Sequence, residues 1–201
     1  MLDRIVLASG NPGKLREFAA LFAPLGIELL PQSAFGIAEP EEPHCTFVEN
    51  ALVKARHAAR HAGLPALADD SGLCVAALGG APGVHSAYFA GRDGDRATRD
   101  ARNNARLLAE LAGRDDRRAH YVCVLALLRA ADDPQPILVE GEWHGEILAE
   151  PRGDGGFGYD PLFFVPAENC SAAELPAERK NALSHRALAF ARLAERLRAQ
   201  R

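Results

Sequence analysis

The apolar positions of the chain fall into short blocks whose spacing changes from one block to the next. Residues 4–8 (RIVLA) form a nearly continuous apolar run, the pattern of a strand covered on both faces. From Gly13 to Phe22 the apolar residues Leu15, Phe18, Ala19 and Phe22 recur at helical spacing, and Pro24 with Gly26 ends the segment. "IELLP" at 27–31 reads as the next strand. A strand, a turn, a helix and a strand in that order predict an α/β architecture. Further on, Thr46 followed three residues later by Glu49 is a capping box, and it opens the helix "TFVENALVKARHAARHAG" with Val48, Ala51, Leu52, Ala55 and Ala59 on its apolar stripe.

"LPALADDSGLCVAALGGAPG" reads as an apolar strand, a pair of aspartates, another strand-like piece and a glycine turn. Residues 96–112 read as a helix with Leu107, Leu108 and Leu111 on one face. "AHYVCVLALLR" and "PILVEGEWHGEILAE" flank the turn "AADDPQ" and predict an antiparallel pair. The glycine-rich loop "RGDGGFGYDP" comes next, and a last helix runs from about Ser184 to Ala199. No repeat, low-complexity tract or clear linker divides the 201 residues, which predicts a single domain, 1–201.

Composition narrows the function classes. The chain is 48% hydrophobic and 25% charged, an ordinary globular balance. A net charge of −4 gives no electrostatic support to coating nucleic acid, so no nucleic-acid partner is expected, while a small anionic ligand stays open. No run of about 18 apolar residues occurs and "MLDRIVLASG" carries no long signal-like region, so the expectation is a cytoplasmic protein with no membrane partner. Cys45, Cys74, Cys123 and Cys170 are far apart and form no C-x-x-C pair, which favours buried reduced thiols over a metal finger or a disulfide framework.

Several stretches carry candidate chemistry. "SGNPGK", Ser9, Gly10, Asn11, Pro12, Gly13 and Lys14, has the glycines, helix N-terminus and cation of a phosphate loop. It is not a Walker loop: two residues separate its glycines, and Leu15 stands where the magnesium-binding hydroxyl belongs. A tight turn with a solvated lysine accounts for the same residues equally well. Asp69 and Asp70, ahead of Ser71 and Gly72, end a buried run and need neutralising, for which a hard divalent cation is the usual partner. Neighbours on a strand point to opposite sides, so one can ligate metal while the other activates water; a plain Asp-Ser-Gly turn is the alternative. Glu39, Glu41 and Glu42 form an acidic loop that reads as solvated unless the fold brings it to the aspartates. "GGFGYDP", Gly155 to Pro161, can approach a flat ligand with its backbone while an aromatic ring stacks on it, or be a β-turn with core aromatics. Lys180, and His185 with Arg186 behind a Ser184 N-cap, place cations against a helix dipole and call for an anionic ligand or tertiary carboxylates. Lys54, two turns into the capped helix, gains weight only from company.

Taken in order, "SGNPGK", "EE…TFVENALVKA", "ADDSGL", "GGAPG", "GGFGYDP" and "SHR" closely resemble the inosine triphosphate pyrophosphatase family, from Leu2 to the last helix. The resemblance implies an ITPase-like (Maf/Ham1) α/β fold, an elongated mixed β-sheet flanked by helices with two lobes around a central active-site groove. It also implies a Mg²⁺-dependent homodimer that hydrolyses ITP, dITP or XTP to the monophosphate and pyrophosphate. Carried over, Ser9 to Lys14 and Lys54 contact the triphosphate, and Asp70 is general base and metal ligand. Asp69 and Glu42 complete the magnesium site, and Ser71 contacts substrate. Phe157, Gly158, Tyr159, Asp160, Lys180, His185 and Arg186 form the base pocket. Maf-type nucleotide pyrophosphatases share the fold and reaction with other bases, but "GGFGYDP" and "SHR" speak against that reading. A non-catalytic nucleotide-binding protein would tolerate loss of acidic residues, yet Asp69, Asp70, Glu41 and Glu42 are all present.

Overall fold

A computed structural model describes residues 2–199. The elements run β1 (Arg4–Ala8), α1 (Pro12–Phe22), β2 (Glu28–Pro31), α2 (Phe47–Ala62), β3 (Ala66–Val75), α3 (Arg96–Glu110), β4 (Arg118–Leu128), β5 (Ile137–Ile147), β6 (Phe163–Val165), β7 (Cys170–Ser171), α4 (Ala177–Leu183) and α5 (His185–Arg198), with short 3-10 turns between some of them. The strands form a mixed seven-stranded open sheet in the order β2-β1-β3-β4-β5-β6-β7. β1 lies parallel to both neighbours, Val6 standing opposite Leu30 on β2 and Ala66 on β3. β6 runs antiparallel to β5 and β7. The α/β class read from the sequence is thus the class of the molecule.

Local chemistry sets the helix starts. Asn11 caps α1, its side chain accepting the N–H groups of Gly13 and Lys14, and Pro12 occupies the first turn, where its missing N–H costs nothing. The helix therefore begins one residue before the expected Gly13. Thr46 caps α2 as its sequence position predicts, accepting the Glu49 N–H, and the Glu49 carboxylate accepts the Thr46 hydroxyl at 2.5 Å. Gly63, at φ +63°, closes the helix in the left-handed region.

The chain divides into two compact units: 1–70, 123–141 and 186–201 make up the first, and 71–122 with 142–185 the second. The core of the first packs Phe18 and Phe22 of α1 on Leu7, Leu67 and Leu125 of the sheet and on Phe190 of α5, with the Phe22 and Phe190 rings 4.8 Å apart. The core of the second gathers Leu73, Leu107, Leu111, Trp143 and Phe163, the last two rings 5.1 Å apart.

Two features differ from the sequence reading. β3 is one continuous ten-residue strand with Asp69 and Asp70 inside it, rather than two pieces broken at the aspartates. The strand continues because charges from other elements neutralise both carboxylates, as described below. β6, β7 and α4 are also present, three, two and seven residues long, too short to register as hydrophobic periods.

On β5 the residues alternate between buried Gly141, Trp143 and Ile147 and exposed Glu140, Glu142, His144 and Glu146. Gly145 faces the crossing to β6, where a Cβ would run into the Phe164 carbonyl and lie 2.7 Å from the Phe163 ring. Gly145→Ala is expected to destabilise the protein by about 1–3 kcal/mol, the usual range for overpacking a site that cannot give. Urea denaturation checks this as a lower midpoint at unchanged slope.

Candidate active site

In the first unit, β1 feeds the Ser9–Lys14 loop directly into α1. The loop is fixed from within: Asn11 N–H donates to Ser9 Oγ at 3.2 Å, and Asn11 Oδ1 accepts the Gly13 and Lys14 amides at 2.9 and 3.3 Å. The Asn11 carboxamide oxygen is thus committed to the helix cap. Gly10 N–H donates to Glu39 Oε1 at 2.7 Å, which brings the acidic loop onto the glycine turn. Lys14 is not a solvated lysine. Its side chain is 13% exposed, and Nζ donates to the backbone oxygen and Oδ1 of Asp69 at 3.3 and 3.2 Å.

The two aspartates of β3 face different partners, as strand alternation requires. Asp69 offers Oδ1 to Lys14 and Oδ2 to Arg186 Nε, the latter at 2.7 Å, and Arg186 Nη1 also donates to Glu17 at 2.9 Å. Asp70 Oδ1 accepts from Lys54 at 2.6 Å, and Lys54 reaches Glu42 Oε1 at 3.2 Å. Asp70 Oδ2 is buried without a hydrogen-bond partner. The acidic loop is held in place by α2: Asn50, 1% exposed, accepts the His44 N–H and donates to the His44 carbonyl, each at 3.1 Å.

Burial and charge act against each other on these groups. Desolvation alone raises Asp69, but the adjacent Lys14 and Arg186 outweigh it and hold its carboxyl well below the usual range. Burial pushes Asp70 up, and Lys54 opposes this without cancelling it. Lys54 is raised: burial works to lower it, but Asp70 and Glu42 outweigh that effect. Lys14 is lowered, because burial exceeds the attraction of an Asp69 it shares with Arg186. A desolvated, under-neutralised lysine in the first turn of a helix is placed to take up an anion.

These contacts divide the expected magnesium ligands. Asp70 and Glu42 meet at Lys54, whereas both Asp69 oxygens are occupied by Lys14 and Arg186. Among the described residues no group of three or more His, Cys, Asp or Glu is assembled as a metal site. The unpartnered Asp70 oxygen and the Glu42 carboxylate are hard donors, and Mg²⁺ ordinarily takes one or two carboxylates beside substrate phosphates. The donor set would suit that ion, with Asp70 and Glu42 able to ligate it and Asp69 engaged by Lys14 and Arg186. Arg186, expected in the base pocket, belongs to the first unit and is paired with Asp69 and Glu17. Those tertiary carboxylates offset its position against the helix dipole. Glu17 and Asn50 are participants the sequence reading missed; a carboxamide on the packed side of α2 was the one available signal for Asn50.

The second unit collects the remaining residues. Asp160, nearly fully buried, accepts Lys180 Nζ and the Phe157 N–H at Oδ2, both at 2.7 Å, and the Tyr121 hydroxyl at Oδ1 at 3.4 Å. Lys180 Nζ also lies 4.8 Å from the centroid of the Phe157 ring. The His185 ring stacks on Tyr121 at 4.7 Å with 10° between planes. Tyr159 is a core aromatic: its hydroxyl donates to the Ser86 carbonyl at 2.9 Å, and burial raises the phenol. Gly156, at φ +72°, leaves room that a Cβ would take from the Asp160 carboxylate. Ser71, half-buried, opens the second unit.

Asp69→Asn is expected to cost about 3–5 kcal/mol at pH 7, because it strands Lys14 and weakens the hold on Arg186 in a buried setting. Since the folded carboxyl is depressed below the ordinary 3.8, its contribution is complete above that value and declines as pH falls beneath it. Urea titrations of both proteins should therefore show a stability gap that is full at pH 7 and smaller at pH 3.

The sequence pattern of the Ham1 family matches residues 5–196. A protein from Ralstonia nicotianae named dITP/XTP pyrophosphatase is 67% identical over 197 residues, 98% of either chain. One of the same name from Bordetella pertussis is 65% identical over 198 residues, 98% of this chain and 92% of that one. Among solved structures, a HAM1 protein from Coxiella burnetii superposes with a TM-score of 0.90 at 49% identity, covering 99% of this chain and all of the other. The Staphylococcus aureus Ham1 protein does so at 0.86 and 37%, covering 98% of this chain. With sequence pattern, relatives and folded neighbours agreeing over nearly its full length, the chain belongs to the Ham1 family.

Proposed function

We propose that this protein hydrolyses ITP, dITP and XTP to the monophosphate and pyrophosphate with Mg²⁺, removing deaminated purines from the nucleotide pool. The observation that carries the reading is the pair of buried lysines, Lys14 and Lys54, against Asp69 and Asp70, with one Asp70 oxygen left unpartnered. The names of the relatives, dITP/XTP pyrophosphatase, support the substrate class. The family resemblance supports a homodimer working in the cytoplasm, and no helix among the described residues is long and apolar enough to cross a membrane.

In this reading the first unit handles the phosphates. The Ser9–Lys14 loop presents backbone amides at a helix N-terminus, and Lys14 and Lys54 neutralise developing charge. Asp70 and Glu42 would hold Mg²⁺, which when bound supplies Lewis-acid neutralisation of the phosphate oxygens. Asp70 takes a proton from the attacking water, whose oxygen bonds the α-phosphorus as the bond to the pyrophosphate oxygen breaks. Burial, which raises its pKa, makes Asp70 a stronger base than an exposed aspartate. The second unit reads the base: Phe157 offers a ring to stack on, and Lys180 and His185 offer donors suited to a 6-oxo group. Adenine presents a 6-amino donor instead and would leave buried donors unpaired.

Pyrophosphate release is expected with kcat/KM at least about 100-fold higher for ITP, dITP or XTP than for ATP, within the range that unpaired buried polar groups enforce. A substrate panel with and without Mg²⁺ reads this directly, and equal rates on all purine triphosphates would sink it. Asp70→Asn is expected to lose about 10²–10⁴-fold in rate, read in activity assays. The amide removes the desolvation penalty on Asp70 but takes from the buried Lys54 the carboxylate that holds its charge, so melting curves accompany the assays.

A further inference from the structure

Helix α3 carries Arg96, Asp100 and Asn104 at a spacing of four, on one stripe of the helix. All three meet the same short loop. Asp100 Oδ2 accepts the Gly158 N–H at 3.0 Å, and Asn104 Nδ2 donates to the Gly158 carbonyl at 2.8 Å and to the Asp100 carbonyl at 2.9 Å. The Arg96 guanidinium lies 4.7 Å from the centroid of the Phe157 ring and 3.6 Å from the Asp100 carboxylate. Both backbone polar groups of one residue are thus held by side chains from a single helix. That residue is a glycine at φ +65°, in a loop where Gly156 also stands at φ +72°. Such a stretch has little intrinsic preference for one conformation and few side chains of its own to fix it. The neighbouring Asn103 holds a different segment, donating to the Ser86 and Ala87 carbonyls and accepting the Ala90 N–H.

We infer that Asp100, Asn104 and Arg96 are positioning residues that set the Phe157 ring through Gly158, and so set how well the enzyme tells one purine base from another. The inference rests on the nucleotide reading above. None of the three needs to touch the substrate. Asp100 fixes the Phe157–Gly158 peptide and Asn104 the Gly158–Tyr159 peptide, the Asp160 carboxylate fixes the Phe157 N–H, and Arg96 lies on the ring itself.

The test compares ITP and ATP kinetics of wild type, Asp100→Ala, Asn104→Ala and Asp100→Asn, each with a melting curve. Loss of one hydrogen bond to the loop is expected to raise KM for ITP about tenfold, with a smaller fall in kcat, and to shrink the ITP-over-ATP preference about tenfold. Asp100→Asn keeps an oxygen for the Gly158 N–H and is expected to stay within about threefold of wild type. A merely structural role would lower activity on both nucleotides alike and leave their ratio unmoved. Asn104→Ala cuts the clamp from the carbonyl side, so the test does not hang on Asp100→Ala folding. If wild type prefers ITP and both alanine variants keep that preference, the positioning role is overturned alone. If wild type shows no preference, the nucleotide reading falls and this inference falls with it.

Discussion

The buried carboxylate of Asp69 is the constraint on which the first unit turns. A charge inside a strand of the core has to be neutralised by groups arriving from elsewhere in the chain. Here Lys14 comes from the first turn of α1 and Arg186 from the start of α5, and Arg186 brings Glu17 with it. One residue thereby fixes where two helices begin relative to β3. Asp70, its neighbour, faces Lys54 on α2 and ties in the acidic loop through Glu42. The hydrophobic core supplies the bulk of the packing, and this ion network sets its register.

The same network explains why adjacent aspartates differ in chemistry. Asp69 has two cations and is held strongly ionised, which suits an anchor. Asp70 has one, burial raises it, and one of its oxygens has no partner. Leaving a buried acceptor unsatisfied is costly in a structure built for stability alone, and sites of that kind are where function is usually found. In the second unit Asp160 plays the anchoring part, gathering Lys180, the Phe157 amide and the Tyr121 hydroxyl.

Much of this was legible in the sequence where chemistry is local. Asn11 before Pro12, and Thr46 before Glu49, announce α1 and α2 because caps act within one turn. The alternation of a strand foretold that Asp69 and Asp70 look in opposite directions, but not what each would meet. Arg186 lies 117 residues from Asp69 and 169 from Glu17, and no spacing rule spans such distances. β3 looked interrupted because an isolated carboxylate pair reads as a turn until its distant cations are known. The α3 clamp was hidden for a different reason: nothing local marks Asp100 and Asn104 on a helix rich in charge, and only the fold shows them turned to Gly158.

The hydrogen bond from Gly10 to Glu39 has a consequence for binding. The amide a phosphate oxygen would use is already satisfied by a carboxylate of the same chain. A nucleotide bonding there exchanges one anion for another, so its affinity at that point is the difference between two bonds rather than the strength of one. Glu39, once displaced, leaves a negative charge beside an incoming polyanion unless it turns to solvent or to a cation. On the proposed reading, the acidic loop is a competitor of the substrate as well as its neighbour, and the charge on residue 39 sets how hard it competes.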